Sequence, residues 1–266
     1  MKNKQVKIGI FGGSGFYDFL DNKKEIAIKT PFGVPSDKIT IGEYNGRKIA
    51  FLPRHGKHHQ YPPHKIPYLA NLYAFKKLGV ERIIAPCAVG SLKPKIKPGD
   101  FVICDQFINF TDRRDTFFEG PKVAHISSAD AYCFDLRNLA AKICRSLKIP
   151  VHRRGTIAVI KGPRFSSRAE SKFFASVGDI INMTAYPELI LARELEICYV
   201  NISLVTDYDA GLGGNKNIKP VSAREVVNIF KENNEKVKKL IFKIIEAMPE
   251  KRNCACKVAL GNAFIN

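Results

Sequence analysis

Residues 197–205, Ile-Cys-Tyr-Val-Asn-Ile-Ser-Leu-Val, form a mostly apolar run without charge, and it ends in Thr206-Asp207-Tyr208-Asp209. A strand that is apolar on both faces has to be covered on both faces, which is the condition of a parallel strand held between helices. This run therefore points to an α/β architecture. Open sheets of that kind bind ligands beyond the carboxyl ends of their strands, and this end carries two carboxylates. An Asp-x-Asp can equally open a turn or cap a helix, so other segments have to decide between structure and chemistry.

Strands and helices alternate along the chain. Residues 6–11 read as an apolar strand entering Gly12-Gly13-Ser14-Gly15, and short strands follow at 38–41 and 48–52, the second delivering Pro53-Arg54-His55-Gly56. Helical periodicity over 66–78 closes at Gly79. A strand over 82–85 leads into Pro86-Cys87-Ala88-Val89-Gly90-Ser91, read as a loop. Further on, the pattern predicts a strand at 101–104, a helix at 135–147, a strand at 155–161, a helix to Val177 and a short strand at 180–181. A helix near Pro187 then precedes the 197–205 strand. Ser167-Arg168-Ala169-Glu170 and Ser222-Ala223-Arg224-Glu225 both have capping-box spacing. The second opens a long helix whose apolar residues, Val226, Phe230, Val237, Ile241, Ile244 and Met248, read as core packing and not as a partner groove. Neither a repeat nor a Pro/Gly/Ser linker divides the chain, so a single domain over 1–266 is expected.

At 266 residues and 45% hydrophobic, the chain can bury a large core. No apolar run reaches the roughly 20 residues that a membrane helix needs, and the polar start runs straight into a strand, so a cytoplasmic protein is expected. Seven cysteines, odd in number and mostly within apolar segments, read as reduced thiols. Cys254-Ala255-Cys256 is the close pair, and a C-x-C without a second cluster is weak evidence for a metal. The formal charge of +18 attracts anions. Its basic residues are scattered over helix faces and loops, with no nucleic-acid module and no aromatic platform, which favours small phosphates over nucleic acid.

Gly12-Gly13-Ser14-Gly15 could cradle a phosphate through backbone amides and the serine hydroxyl. Its best dinucleotide alignment places Asp18 at the third glycine, which argues against an NAD site. Arg54-His55-Gly56-Lys57-His58-His59, with His64 nearby, gathers four of the six histidines. Without an H-E-x-x-H helix or a cysteine partner set, zinc is disfavoured there. Arg54 beside His55 suits a phosphate, because a guanidinium fork and a second donor sit side by side.

These segments, together with Gly90-Ser91, Gly162-Pro163-Arg164-Phe165-Ser166-Ser167-Arg168-Ala169-Glu170, Asn182-Met183-Thr184, Pro187-Glu188 and Thr206-Asp207-Tyr208-Asp209, occur in the order and approximate spacing of one family. The sequence resembles the methylthioadenosine phosphorylases, a branch of the trimeric purine nucleoside phosphorylases, over about residues 7–248; the tail 249–266 matches poorly.

The resemblance implies a single α/β domain with a twisted, partly barrel-like mixed β-sheet flanked by helices, assembled as a homotrimer. It implies cleavage of a purine nucleoside by inorganic phosphate to free base and pentose 1-phosphate, with no cofactor and no metal. Carried over, Ser14, Arg54, His55, Cys87, Ala88 and Thr184 resemble the phosphate site, and Met183 the ribose contact. Phe165 and Ser166 resemble walls of the base pocket, and Asp207 and Asp209 its purine-edge acids. His59 and His125 resemble positions near the 5′ substituent, with His125 reaching from a neighbouring subunit, and Ala223 stands near the methylthio group. A hydrogen-bonding or protonated Asp207 near purine N7 would stabilise the charge that develops on the leaving base.

Two aspartates favour a 6-aminopurine, since a 6-oxo group needs a donor instead. Ala223 in place of the valine of animal members, Cys87 in place of their threonine, and Ala210-Gly211 after the acids leave a 6-oxopurine nucleoside phosphorylase as the nearest alternative. A nucleosidase gives Arg54, His55 and Thr184 no purpose. A nucleic-acid-binding protein stays open only through the positive charge.

Overall fold

The computed structural model describes residues 6–12, 20–212, 215 and 217–265. In chain order these form β1 (Ile8–Gly12), β2 (Asp21–Ile26), β3 (Ile39–Tyr44), β4 (Arg47–Pro53), α1 (Tyr68–Lys77), β5 (Arg82–Ser91), β6 (Phe101–Ile103) and β7 (Gln106–Phe110). Then come α2 (Phe134–Ser146), β8 (Val151–His152), β9 (Thr156–Ile160), α3 (Arg168–Val177), β10 (Ile180–Asn182), α4 (Ala185–Glu194), β11 (Cys198–Asp207) and α5 (Ala223–Ala247). Eleven strands make one mixed sheet flanked by helices, in the order β2-β3-β4-β1-β5-β10-β9-β7, with β11 pairing β5 and β6 and β8 pairing β6.

The predicted two-sided burial of the 197–205 strand is met, because its side chains alternate between two cores. Tyr199 and Val205 join α1 and α4 through Leu72, Phe75, Leu189 and Leu191. Val200, Ile202 and Leu204 join α2 and α5 through Leu136, Ala140, Leu240 and Ile244. Neighbouring strands split likewise, Ile83 to the first core and Ile84 to the second, so their sequences carry no polar alternation.

Several expectations change. Residues 86–91, read as a loop, continue β5, because β11 pairs with it in parallel from Cys198↔Arg82 to Asp207↔Gly90 and holds it extended past Pro86. On its other edge β5 changes partner: β1 takes Arg82–Ile84, and β10, antiparallel, takes Gly90 and Ser91. The stretch between those pairings is left open on that edge, at a switch point of the sheet. β2, β7 and β8 have no counterpart in the sequence reading, and the reason is plainest for β2. Asp-Asn-Lys-Lys-Glu-Ile is almost wholly exposed, so it carries no hydrophobic period, and its charges suit an edge strand that must not recruit another chain.

Both predicted serine caps form, the first as a full capping box and the second with its serine half alone. The Ser167 hydroxyl accepts the Glu170 amide and the Glu170 carboxylate accepts the Ser167 amide, completing the box. Ser222 accepts the Glu225 amide at the start of α5. Glu170 also takes two bonds from Arg164, at 2.8 and 2.7 Å, which ties the loop bearing Phe165 to α3. No helix among the described residues is long and apolar enough to cross a membrane. Ser167→Ala is expected to lower stability by about 1 kcal/mol in chemical denaturation, the usual cost of an N-cap.

Candidate active site

The open stretch of β5 faces a cavity of about 620 Å³. The ends of parallel strands β1, β4 and β11 reach its wall through Gly12, Arg54 and Asp207, as the rule for open sheets requires. Pro86, Cys87, Ala88 and Val89 line it from β5, and Met183 and Thr184 from the turn after β10.

Arg54 is the most constrained of these groups. Its Nε donates to Glu188 Oε1 at 2.5 Å, its Nη2 to Oε2 at 3.1 Å and its Nη1 to the Pro86 carbonyl at 3.0 Å. Three of the five guanidinium N–H bonds are thereby assigned, leaving two for a ligand. Tyr199 donates to Glu188 Oε2 at 2.8 Å, and the guanidinium lies over the Phe11 ring. Burial pulls the Arg54 pKa down, but the Glu188 carboxylate outweighs it, so the group stays charged.

His55 follows on a tight loop. Gly56 has φ +77°, in the left-handed region that favours glycine. The turn closes through Tyr61 N–H to the His55 carbonyl, 3.1 Å, and stacks His55 on His59 with ring centroids 4.4 Å apart. Nδ1 of His55 lies 2.9 Å from the Tyr61 carbonyl. A carbonyl can only accept, so Nδ1 carries the hydrogen and Nε2 is left to accept. Burial, aided by Arg54, pushes the His55 pKa down to about 4, so the ring is neutral at pH 7.

At the opposite side, Asp207 Oδ2 accepts the Thr206 hydroxyl at 2.7 Å and Oδ1 accepts the Asp209 amide at 2.8 Å. Burial raises the Asp207 pKa to about 6; the two hydrogen bonds oppose the rise, and the charges of Asp209 and Glu225 add to it. Asp209 is buried in a left-handed conformation, φ +50°, and its Oδ2 has no partner. Gly90 makes room for both acids, since a Cβ there would sit 2.8 Å from Asp207 Oδ1 and 3.2 Å from Asp209 Cβ. Arg168, at the start of α3, donates to the Ala210 carbonyl at 3.0 Å and holds the loop that follows.

The cavity thus gathers Arg54, His55, His59, Cys87, Ala88, Phe165, Met183, Thr184, Asp207 and Asp209, all singled out from sequence. Ser14 lies outside the described residues. Ser166, His125 and Ala223 do not line it. The Ser166 hydroxyl is buried without a hydrogen-bond partner. His125 is exposed on a segment bridged to the tail, its amide donating to the Ala263 carbonyl. Ala223 is exposed at the first turn of α5, and Val226, Val227 and Phe230 form the wall instead. Val226 therefore leaves the core-packing stripe expected of it, whereas Phe230 lines the cavity and also packs against the core that α5 enters fully from Val237.

Glu188 and Tyr199 have positioning roles that no sequence pattern revealed, although Glu188 stood within a recognised motif. Arg113 was missed as well. It donates to the Met183 and Tyr186 carbonyls at 2.7 and 2.6 Å and to the Lys161 carbonyl at 2.7 Å, clamping the turn that bears Thr184. Cys87 sits in a buried polar knot, 3.4 Å from Asn182 Nδ2 and 3.6 Å from Ser203 Oγ, and burial raises its pKa. It lines the cavity as a neutral thiol and not as a nucleophile. Among the described residues, the grouping of side chains able to hold a metal lies elsewhere, at Cys133, Cys198, Cys254 and Cys256.

A cationic fork and a neutral imidazole at one side of a cavity, with a pair of buried acids at the other, make a place where an anion and a polar ring can be held against each other. The chain belongs to the phosphorylase superfamily, whose model matches residues 7–246. Within it, the chain is similar to S-methyl-5′-thioadenosine phosphorylases. That of Pyrococcus horikoshii is 53% identical over 97% of this chain and 99% of its own, and that of Nitrosopumilus maritimus 52% identical over 98% of each. A crystal structure of a methylthioadenosine phosphorylase from an antarctic soil metagenomic library superposes with a TM-score of 0.91 at 39% identity, covering 98% of this chain and 93% of that one. The Schistosoma mansoni methylthioadenosine phosphorylase in complex with adenine gives 0.90 at 33% identity, covering 98% and 99%.

Glu188→Gln leaves the Arg54 charge buried without its counter-ion. It is expected to cost about 3 kcal/mol of stability, the scale for breaking a buried pair. It should also raise KM for phosphate more than KM for nucleoside; equal effects on both would show that Glu188 does not act through Arg54.

Proposed function

We propose that the protein catalyses phosphorolysis of S-methyl-5′-thioadenosine to adenine and S-methyl-5-thio-ribose 1-phosphate. The observation that carries this reading is the acid pair at the end of β11: Asp207, with its pKa raised by burial, beside Asp209, whose Oδ2 is a buried acceptor without a partner. An adenine amino group supplies the donor that Asp209 lacks, whereas a 6-oxo group would set acceptor against acceptor.

Phosphate is held by Arg54, His55, Thr184, Cys87 and the Ala88 backbone, with Ser14 assigned to the same site. His55 Nε2 accepts from a protonated phosphate oxygen, so a neutral ring is the useful form. As a phosphate oxygen bonds to C1′ of the ribose, the C1′–N9 bond breaks and its electron pair passes to the purine. Asp207 gives its proton toward N7 as that charge grows, and phosphate balances the positive charge on the sugar. Every step uses side chains and phosphate, and no cofactor or metal takes part.

Met183 and His59 bound the sugar, and Phe165 with Ser166 the base. Val226, Val227 and Phe230 give the cavity an apolar wall that a methylthio group fills without stranding a hydroxyl. Ala223, an exposed neighbour of that wall, is assigned an indirect influence on it. The working form is proposed as a cytoplasmic homotrimer in which His125, exposed in its own chain, completes a neighbour's site.

Base release from methylthioadenosine, inosine, guanosine and adenosine, each with and without phosphate, tests the reading. Phosphate-dependent release led by methylthioadenosine is expected; release led by inosine would reassign the acid pair.

Asp207→Asn should lower kcat by about 10²- to 10⁴-fold. Because the folded-state pKa of about 6 lies above the ordinary 3.8, the stability tied to protonated Asp207 is present below 3.8 and lost as pH rises through 6. Asparagine removes that loss. The variant should be at least as stable as the parent at pH 7, by up to about 3 kcal/mol, and the difference should vanish near pH 3.

A further inference from the structure

Cys133, Cys198, Cys254 and Cys256 come from three distant parts of the chain, yet their sulfurs all lie within 4.8 Å of one another. Cys133 is the N-cap of α2, Cys198 opens β11, and Cys254 and Cys256 flank Ala255 in the tail beyond α5. Four sulfurs bonded to one zinc ion at about 2.3 Å stand about 3.8 Å apart at tetrahedral corners. The observed spread therefore needs only small side-chain adjustments, and Cys198 Sγ and Cys254 Sγ are already 3.2 Å apart.

We propose that these four cysteines bind one structural zinc ion that fastens the C-terminal tail to the core.

The surroundings suit such an ion. All four ligands are thiolate formers, with no open position for substrate, which is the pattern of a closed structural site. Binding four thiolates around a divalent cation leaves a net charge of −2, and Arg252 lies with Nη1 3.9 Å from Cys198 Sγ. The same arginine donates to the Glu196 carbonyl at 2.7 Å, and its Nε stands 3.6 Å from Glu81, so it is fixed in place. Cys133 stands at a helix N-terminus, whose dipole favours an anionic sulfur. Three of the cysteines are buried, whereas Cys254 is half-buried and offers the ion a way in.

The tail also needs a fastening. Among the described residues beyond α5 only Met248, Cys256 and Ala263 are buried apolar ones, while Val258, Phe264 and Ile265 are exposed. So little buried surface cannot by itself offset the entropy of ordering such a segment. A metal clip supplies the difference, as in other small elements with a poor core. The clip is remote from the cavity. Cys198 and Asp207 are the two ends of β11, nine residue steps of about 3.3 Å, or roughly 30 Å apart. It acts on stability and not on turnover, and it stands whether or not the methylthioadenosine reading holds.

The test is metal analysis with native mass spectrometry on full-length protein, expressed with zinc and purified under reductant without chelator. About one zinc per chain is expected. Reloading chelator-stripped protein with Co²⁺ should give the strong visible bands of tetrahedral thiolate cobalt. Stripping should lower Tm while leaving turnover well below Tm unchanged. Cys254→Ser with Cys256→Ser should abolish cobalt uptake; if that variant fails to fold, the wild-type cobalt titration decides alone. A reduced chain that takes up neither zinc nor cobalt overturns the proposal. So does alkylation mapping that finds the four sulfurs paired as disulfides in a chain that binds no metal after reduction.

Discussion

The buried pair of Arg54 and Glu188 is the interaction on which the site is built. Glu188 is wholly inaccessible and Arg54 nearly so, and an unpaired charge at that depth would be too costly to keep. The pair is tolerated because its hydrogen bonding is close to complete: a bidentate fork, the Pro86 carbonyl, the Tyr199 hydroxyl and the face of Phe11. These partners belong to β1, β5, α4 and β11, and Arg54 itself directly follows β4, so one cluster fixes the mutual position of five elements. The two N–H bonds left on Arg54 are consequently presented to the cavity in a fixed direction, with little to reorganise when an anion arrives.

Around that cluster the sheet changes partners, and the change makes the cavity. Where β1 stops pairing with β5 and β10 has not begun, the edge of β5 is open, and Pro86 to Val89 face the cavity instead of another strand. The parallel strands beside it deliver Arg54 and Asp207 by their carboxyl ends. Small residues matter at only a few points: Gly90, where a side chain would strike both acids, and Gly56, where the histidine loop turns. Electrostatics then separates the roles. Burial favours the neutral forms of His55 and Asp207 alike, which leaves the imidazole an acceptor and brings the carboxyl's pKa up to about 6, within reach of proton transfer near neutrality.

The two ends of β11 have different tasks. The carboxyl end carries the acids that address a purine, and the amino end joins a cluster of thiols that ties down the tail. Both ends depend on the middle of the strand being clamped between two cores, which gives the strand the rigidity a functional site requires. Rigidity at the centre is also why chemistry and fastening can be altered separately.

The α/β class, most strand and helix positions, both serine caps and ten of the cavity's side chains were legible in the sequence, because apolar runs, capping spacing and motif order are local or ordered along the chain. What pairs with what was not. That Pro86-Cys87-Ala88 continues a strand follows from β11 lying along it, and that Val226 and Phe230 face a cavity follows from where the first turns of α5 pass over the sheet. The role of Glu188 depended on Arg54, 134 residues away, and Cys254-Ala255-Cys256 gained meaning only beside Cys133 and Cys198. Local propensity and pattern are written residue by residue, so the sequence determined the elements and the chemistry they could carry. Burial, charge pairing and proximity arise between distant segments, so the tertiary structure alone decided which acid has its pKa raised, which arginine is aimed and which thiols meet.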